Sequence, residues 1–207
     1  MSDPQRRGET GARAGRPRTF DVDEALDRAL TVFWEKGYEG ASLSVLTAAM
    51  GIRRTSLYAA FGNKEALFRK ALGRYLAGPS AALALALDEP DVRNAIEQFL
   101  RYSAELLTAP DRPHGCLIVQ GALSCSDAAG VIQAELRSHR ERTLDTLVER
   151  LEQGRRDGQL PAHLDIRSFA RYLATVHQGL SIQASSGGQR DDLLSVVQIV
   201  ISHWPSP

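Results

Sequence analysis

Cysteine is nearly absent from this chain: Cys116 and Cys125 are the only two among 207 residues. Two thiols are too few for the disulfide framework that staples a small secreted fold, and reduced thiols belong to the cytosol. Long apolar runs are missing too. Nothing approaches the roughly 20 consecutive apolar residues that a membrane span requires. The first twenty residues hold Arg6, Arg7, Arg13, Arg16 and Arg18 among glycines, without the apolar stretch of a signal peptide. These absences predict a soluble, cytoplasmic protein with no membrane partner.

The residue patterns of common active sites are lacking as well. None of the five histidines follows a glutamate by three positions, as helical two-metal sites require. There is no Gly-x-Ser-x-Gly elbow, no His-Glu-x-x-His and no glycine-rich phosphate loop. His114, Cys116 and Cys125 lack the regular spacing of a metal site and read as pocket lining or packing. The expectation is no catalytic residue, no metal and no cofactor. Period-two alternation, the mark of strands, is missing, and no internal repeat is found. Net charge is zero, from 25 Lys and Arg against 25 Asp and Glu, but it is unevenly placed. Residues 1–75 hold 13 basic against 9 acidic residues, and residues 76–207 hold 12 against 16. A basic first part on a neutral chain points to a polyanion met by that part alone.

What remains is helical, in a length that suits one unit with two lobes. Val22, Ala25, Leu26, Ala29, Leu30 and Phe33 recur at the spacing of one helical face, with Asp21 as cap and Gly37 as stop. Ser42 caps a shorter helix that uses Val45, Leu46, Ala49 and Met50 and ends at Gly51. A third runs from about Arg53 to Phe61, and a fourth from Asn63 to about Ala77, broken apart by Gly62-Asn63. Two short helices joined only by Gly51 and Ile52 form a helix-turn-helix pattern. At about 100° per residue, Leu57 and Phe61 share the inner face of the third helix, while Thr55 and Ala59 lie opposite, flanked by Ser56 and Tyr58. Small polar side chains let a helix approach a major groove closely, with Arg54 beside them and the Tyr58 hydroxyl within reach of a phosphate.

The segment "GYEGASLSVLTAAMGIRRTSLYAAFGNKEALF", residues 37–68, resembles the DNA-binding segment of the TetR/AcrR family of bacterial transcription regulators. The likeness covers roughly residues 18–78 and includes the lead-in "GRPRTFDVDEALDRALTVFWEKG". It implies an all-α fold, with a three-helix DNA-binding lobe and a C-terminal helical bundle for ligand binding and dimerisation. It also implies a homodimer that represses from a palindromic double-stranded DNA operator until an unidentified small-molecule effector binds. By position, Ser42 and Lys64 resemble phosphate contacts, and Arg54, Thr55, Ser56 and Tyr58 the groove-facing set. Arg53 stands where a small hydroxyl residue is usual, giving up a side-chain cap but offering a further phosphate contact. Thr55 and Thr47 also depart from the usual small residues. The expected division is a flexible basic tail over 1–17, the DNA-binding lobe over 18–78 and the second lobe over 79–207.

In the second lobe, "PSAALALALDEP" reads as a short helix, and Val92 through Leu106 as an amphipathic one. "CLIVQGALSC" reads as a short buried helix and residues 127–157 as a long one, on which "RSHRERT", residues 137–143, reads as a solvated face. A further helix contains Ile166, Phe169, Leu173, Val176, His177 and Leu180. The last, "DDLLSVVQIVISHW", is apolar around nearly its whole circumference and must be covered on more than one side. It is expected, with the helix before it, to form the dimer interface through Leu173, Leu180, Leu193, Val197, Val200 and Trp204. An effector pocket is expected among Phe99, Tyr102, Leu106, Cys116, Leu117, Gln120 and His177, segments that are apolar with a few polar groups. Two alternatives are an architectural DNA binder that senses nothing and a helical enzyme carrying an incidental helix-turn-helix. An enclosed cavity in the second lobe separates the first from the leading reading, and a polar catalytic cluster there would favour the second.

Overall fold

The computed structural model describes residues 20–78, 80–123 and 129–206. The expected tail over residues 1–17, and Cys125, lie outside the described residues. Ten α-helices and no strand occur among the described residues. They are α1 (Val22–Gly40), α2 (Leu43–Met50), α3 (Arg54–Phe61), α4 (Lys64–Ala77), α5 (Ala81–Ala86), α6 (Val92–Leu107), α7 (Leu117–Leu123), α8 (Gly130–Arg156), α9 (Ile166–Ser185) and α10 (Arg190–Ser202). No helix among them is long and apolar enough to cross a membrane.

Local chemistry sets the helix ends in the first lobe. The Asp21 carboxylate accepts from the N–H groups of Asp23 and Glu24 and starts α1. Gly37 is a kink rather than a stop: it takes φ 67°, ψ 177°, and the chain then resumes helical form to Gly40. Ser42 caps α2 by accepting from the Val45 N–H at 3.3 Å. Gly51 ends α2 in the left-handed region at φ 67°, ψ 27°, a conformation that costs glycine little. There the Gly51 N–H reaches the Ala48 carbonyl and the Ile52 N–H reaches that of Thr47, the Schellman closure. Asn63 caps α4 through the Ala66 N–H at 2.7 Å. α1 packs on α2 and α4, and buries Phe33 edge-on against Phe68.

The second lobe joins α8 to α7 and α9, and lays α6 against α5, α9 and α10. One continuous apolar core runs through both lobes. Its link is specific: the Trp34 indole N–H on α1 donates to the Gly115 carbonyl at 3.0 Å, just before α7. Trp34 also meets the Tyr75 ring of α4 edge to face, with centroids 4.8 Å apart.

The side chains expected at a dimer interface face the other way. Leu173, Leu180, Leu193, Val197 and Val200 are all buried within the protomer's own core. The reason is packing: α10 lies against α6 and α9, so the stripe Leu193, Val197, Val200 and Ile201 is covered inside one chain. Trp204 is half-buried, edge-on to Phe169. The outward faces of these two helices carry instead Tyr172, Ile182, Val196 and Ile199.

Candidate nucleic-acid interface and the cavity behind it

α2 and α3 are held by Leu46, Met50, Leu57 and Phe61, all buried in the core beneath them. That anchoring turns Thr55, Tyr58 and Ala59 to solvent and leaves Ser56 at the edge. Arg53 occupies the cap position of α3 without a side-chain hydrogen bond, and it is exposed. Arg54 lies alongside Tyr58, its guanidinium carbon 6.0 Å from the ring centroid, so the two form one amphipathic surface. Elsewhere in this lobe Arg28 pairs with Glu24, Arg69 with Glu65 and Glu135, and Arg74 with Asp23 and Asp27. Among the described residues, no carboxylate pairs with Arg53 or Arg54.

Lys64 sits at the start of α4, its ammonium 4.5 Å from the centre of the Tyr38 ring and 3.5 Å from the Glu39 carbonyl oxygen. Burial lowers its pKa, with Glu39 opposing in part. Glu39 lies three residues before Ser42, whose hydroxyl also meets that of Ser44 at 2.8 Å. Lys64 thus brings the start of α4 against the end of α1, a few residues before the Ser42 hydroxyl at the start of α2, and cations and hydroxyls at helix N-termini favour an anion. Two participants were not singled out from the sequence. Tyr38 is the ring on which Lys64 rests. Arg28 brings a guanidinium nitrogen within 3.4 Å of where a side chain on Gly51 would begin. Tyr38 stands in the Gly-aromatic pair of the quoted segment, but its role under Lys64, like the place of Arg28, comes only from the packing of α1 across α2 and α4.

Behind this lobe the second holds a cavity of about 160 Å³ that is partly open to the outside rather than enclosed. Phe99, Leu106, Cys116 and His177 line it, together with Tyr75, which belongs to α4. The other three residues expected there do not. Tyr102 precedes the cavity-lining Ser103 by one residue, about 100° around the helix, and points to an outer groove, 45% exposed. Leu117 is buried in the core, and Gln120 turns outward to donate to the His114 carbonyl at 3.2 Å. The run from Arg137 to Thr143 is not wholly solvated either, since Arg140 and Thr143 face the cavity.

The cavity touches the first lobe through Tyr75. The Tyr75 hydroxyl donates to the Cys116 sulfur at 3.3 Å, and the Cys116 N–H donates to the Ser181 hydroxyl of α9 at 2.9 Å. Burial, then the neighbouring thiol, pushes the Tyr75 phenol well above its ordinary value, so it stays a neutral donor. His177 is half-buried as a residue, but its Nδ1 is enclosed and has no hydrogen-bond partner among the described residues.

A helix-turn-helix with an unpaired basic and aromatic outer face, carried on a helical bundle that holds a cavity, defines a DNA-binding regulatory protein. The comparisons with known proteins agree. Residues 25–71 match the "Bacterial regulatory proteins, tetR family", and residues 89–199 match the "Tetracyclin repressor-like, C-terminal domain". The chain belongs to the TetR family of transcriptional regulators. It is 35% identical to the HTH-type transcriptional repressor ComR of Escherichia coli K12 over 193 residues, 92% of each chain. It is 32% identical to the HTH-type transcriptional regulator YezE of Bacillus subtilis 168, over 91% of this chain and 98% of that one. Among solved structures, a cysteine mutant of the TetR family regulator CifR, in complex with 26-base-pair operator DNA, superposes with a TM-score of 0.87. That structure is 43% identical and covers 92% of this chain and all of its own.

Two predictions follow from this geometry. Arg53→Ser supplies the missing cap of α3 and is expected to stabilise the fold by about 1 kcal/mol, read as a raised urea midpoint with an unchanged slope. The second concerns acid. Burial lowers the His177 pKa from its ordinary 6.5 to about 4, so the folded chain binds this proton less readily than the unfolded one. The resulting stability is complete above pH 6.5 and declines as the pH falls toward 4. Urea unfolding at pH 7 and pH 5 should show a smaller loss in His177→Gln than in the parent.

Proposed function

We propose that this protein is a homodimeric, cytoplasmic repressor that reads a palindromic operator with α3 and is released when a small molecule enters the cavity. The observation that carries the reading is the set of unpaired cations on the outer face of the helix-turn-helix, Arg53 and Arg54, beside an exposed Tyr58. Ser42, Lys64 and Arg53 hold phosphates, and Arg54, Thr55, Ser56 and Tyr58 face the groove. The repressor name of ComR and the operator complex of CifR support the same assignment. A two-fold dimer places two copies of α3 in successive major grooves, which matches a palindrome.

The dimer surface in this reading is the outward stripe of α9 and α10, with Tyr172, Ile182, Val196 and Ile199, and with Trp204 at its border. The cavity acts on DNA binding through Tyr75. A ligand against Cys116 disturbs the Tyr75 hydroxyl contact, and a shift of α4 changes the separation of the two reading helices. The ligand must bind the DNA-incompetent form more tightly, since equal affinity for both forms shifts no population.

Tyr58→Ala and Arg54→Ala are each expected to weaken binding to a selected duplex by about tenfold or more in titrations of the folded variants. Only Arg54→Ala should change which bases are preferred. Parental affinity in both variants contradicts the groove assignment. At the dimer surface, Ile199→Glu is expected to give a folded monomer in sedimentation, whereas Val197→Glu places an unpaired charge in the protomer core and unfolds the chain. An Ile199→Glu protein that stays dimeric contradicts the interface assignment.

A further inference from the structure

The cavity wall carries one formal charge among the described residues, that of Arg140, and no Asp or Glu lines it. Among the described residues the Arg140 guanidinium has a single hydrogen-bond partner, the Ile118 carbonyl at 3.5 Å, the outer limit of a hydrogen bond. An arginine has five N–H donors, so most of its capacity is unspent. No carboxylate among the described residues lies within ion-pair distance of it. Burial pulls its pKa below the ordinary value, assisted by Arg137. Across the same cavity stands the second unsatisfied group, the enclosed Nδ1 of His177.

A third observation concerns access. Arg140, Ala174 and Gln178 also line an outer depression of about 270 Å³, to which Arg137 and Arg171 add two more cations and Glu141 the one carboxylate among the described residues. A molecule entering on this side passes three guanidinium groups and one carboxylate. Such a field concentrates anions.

We propose that the cavity takes a compact organic anion, a carboxylate on a small ring or short apolar chain, held by Arg140 and by the imidazole of His177. The assignment rests on the reading of this cavity as the effector site. Size limits the apolar part: an apolar cavity of about 150 Å³ holds one benzene ring, close to the space available here. The remaining wall, with Leu83, Leu87, Phe99 and Leu106, suits that part. One guanidinium matches one carboxylate in bidentate geometry. A phosphate would leave a second charge against this apolar wall. Neutral His177 offers its Nδ1 as a donor to the carboxylate in the appropriate tautomer.

Calorimetric titration of the full chain with benzoate and with its neutral isostere benzamide tests the proposal. Benzoate is expected to bind at least about tenfold more tightly than benzamide. Arg140→Gln should abolish that preference, and Arg140→Lys, which keeps the charge, should retain part of it. The anion assignment is overturned if benzoate binds no better than benzamide, the absence of heat from both included, or if Arg140→Gln keeps the preference. Ala174→Phe, which projects a ring into the cavity, separates the two readings. If benzamide binds as well as benzoate and Ala174→Phe abolishes both, the cavity stands as the effector site and only the anion class fails. If benzoate binds with parental affinity in Ala174→Phe, the cavity itself is the wrong site, and both readings fall.

Discussion

The bond from the Trp34 indole to the Gly115 carbonyl is the constraint on which the two-lobe arrangement depends. A buried indole N–H without a partner costs free energy, so this donor keeps α1 registered on the start of α7. The next residue, Cys116, accepts from Tyr75 of α4 and donates its own N–H to Ser181 of α9. Two consecutive residues thus touch both long helices of the first lobe and one wall of the cavity in the second. Gly115 is fitted to this place: it adopts φ 84°, and a side chain there would collide with Gln120. Any ligand that moves Cys116 meets this knot first, which gives the cavity a direct mechanical path to α4.

Electrostatics divides the first lobe in a similar way. Arg28, Arg69 and Arg74 spend their charge on carboxylates along their own helix, across the first lobe or, for Arg69–Glu135, across to α8. Such exposed pairs contribute little to stability, on the order of 0–1 kcal/mol each. Among the described residues Arg53 and Arg54 have no such partner, which leaves two cations unpaired on the face proposed to meet a polyanion. Neutralising phosphates there releases counterions, which makes the attraction strong and salt-dependent.

Much of the reading surface was legible because it depends on local chemistry. The Ser42 cap, the break at Gly62-Asn63, the turn at Gly51 and the inward pair Leu57 and Phe61 follow from residue types and helical spacing alone. The second lobe was harder for a physical reason. Val197 and Ile199 look alike in sequence, yet one is enclosed by α6 and α9 while the other is 59% exposed. Apolar character all round α10 called for cover on more than one side, without telling which side the protomer covers itself. Tyr102 and Arg140 show the same limit from opposite directions. The first is an aromatic residue at the margin of an apolar stripe and turns outward. The second sits in a polar run and turns inward, because α8 crosses the cavity with only part of that run facing solvent. Cavity lining is a property of how helices cross, and periodicity along one helix does not contain it.

Hydrogen–deuterium exchange of the full chain, with and without a selected operator duplex, tests the central claim that the α2–α3 face is the DNA-reading surface. The account predicts slowed exchange on duplex binding at residues 42–45, 53–58 and 63–66, where N–H groups at helix starts meet phosphates and the outer face of α3 enters the groove. Unchanged exchange in all three segments, with protection confined to the second lobe, would contradict it.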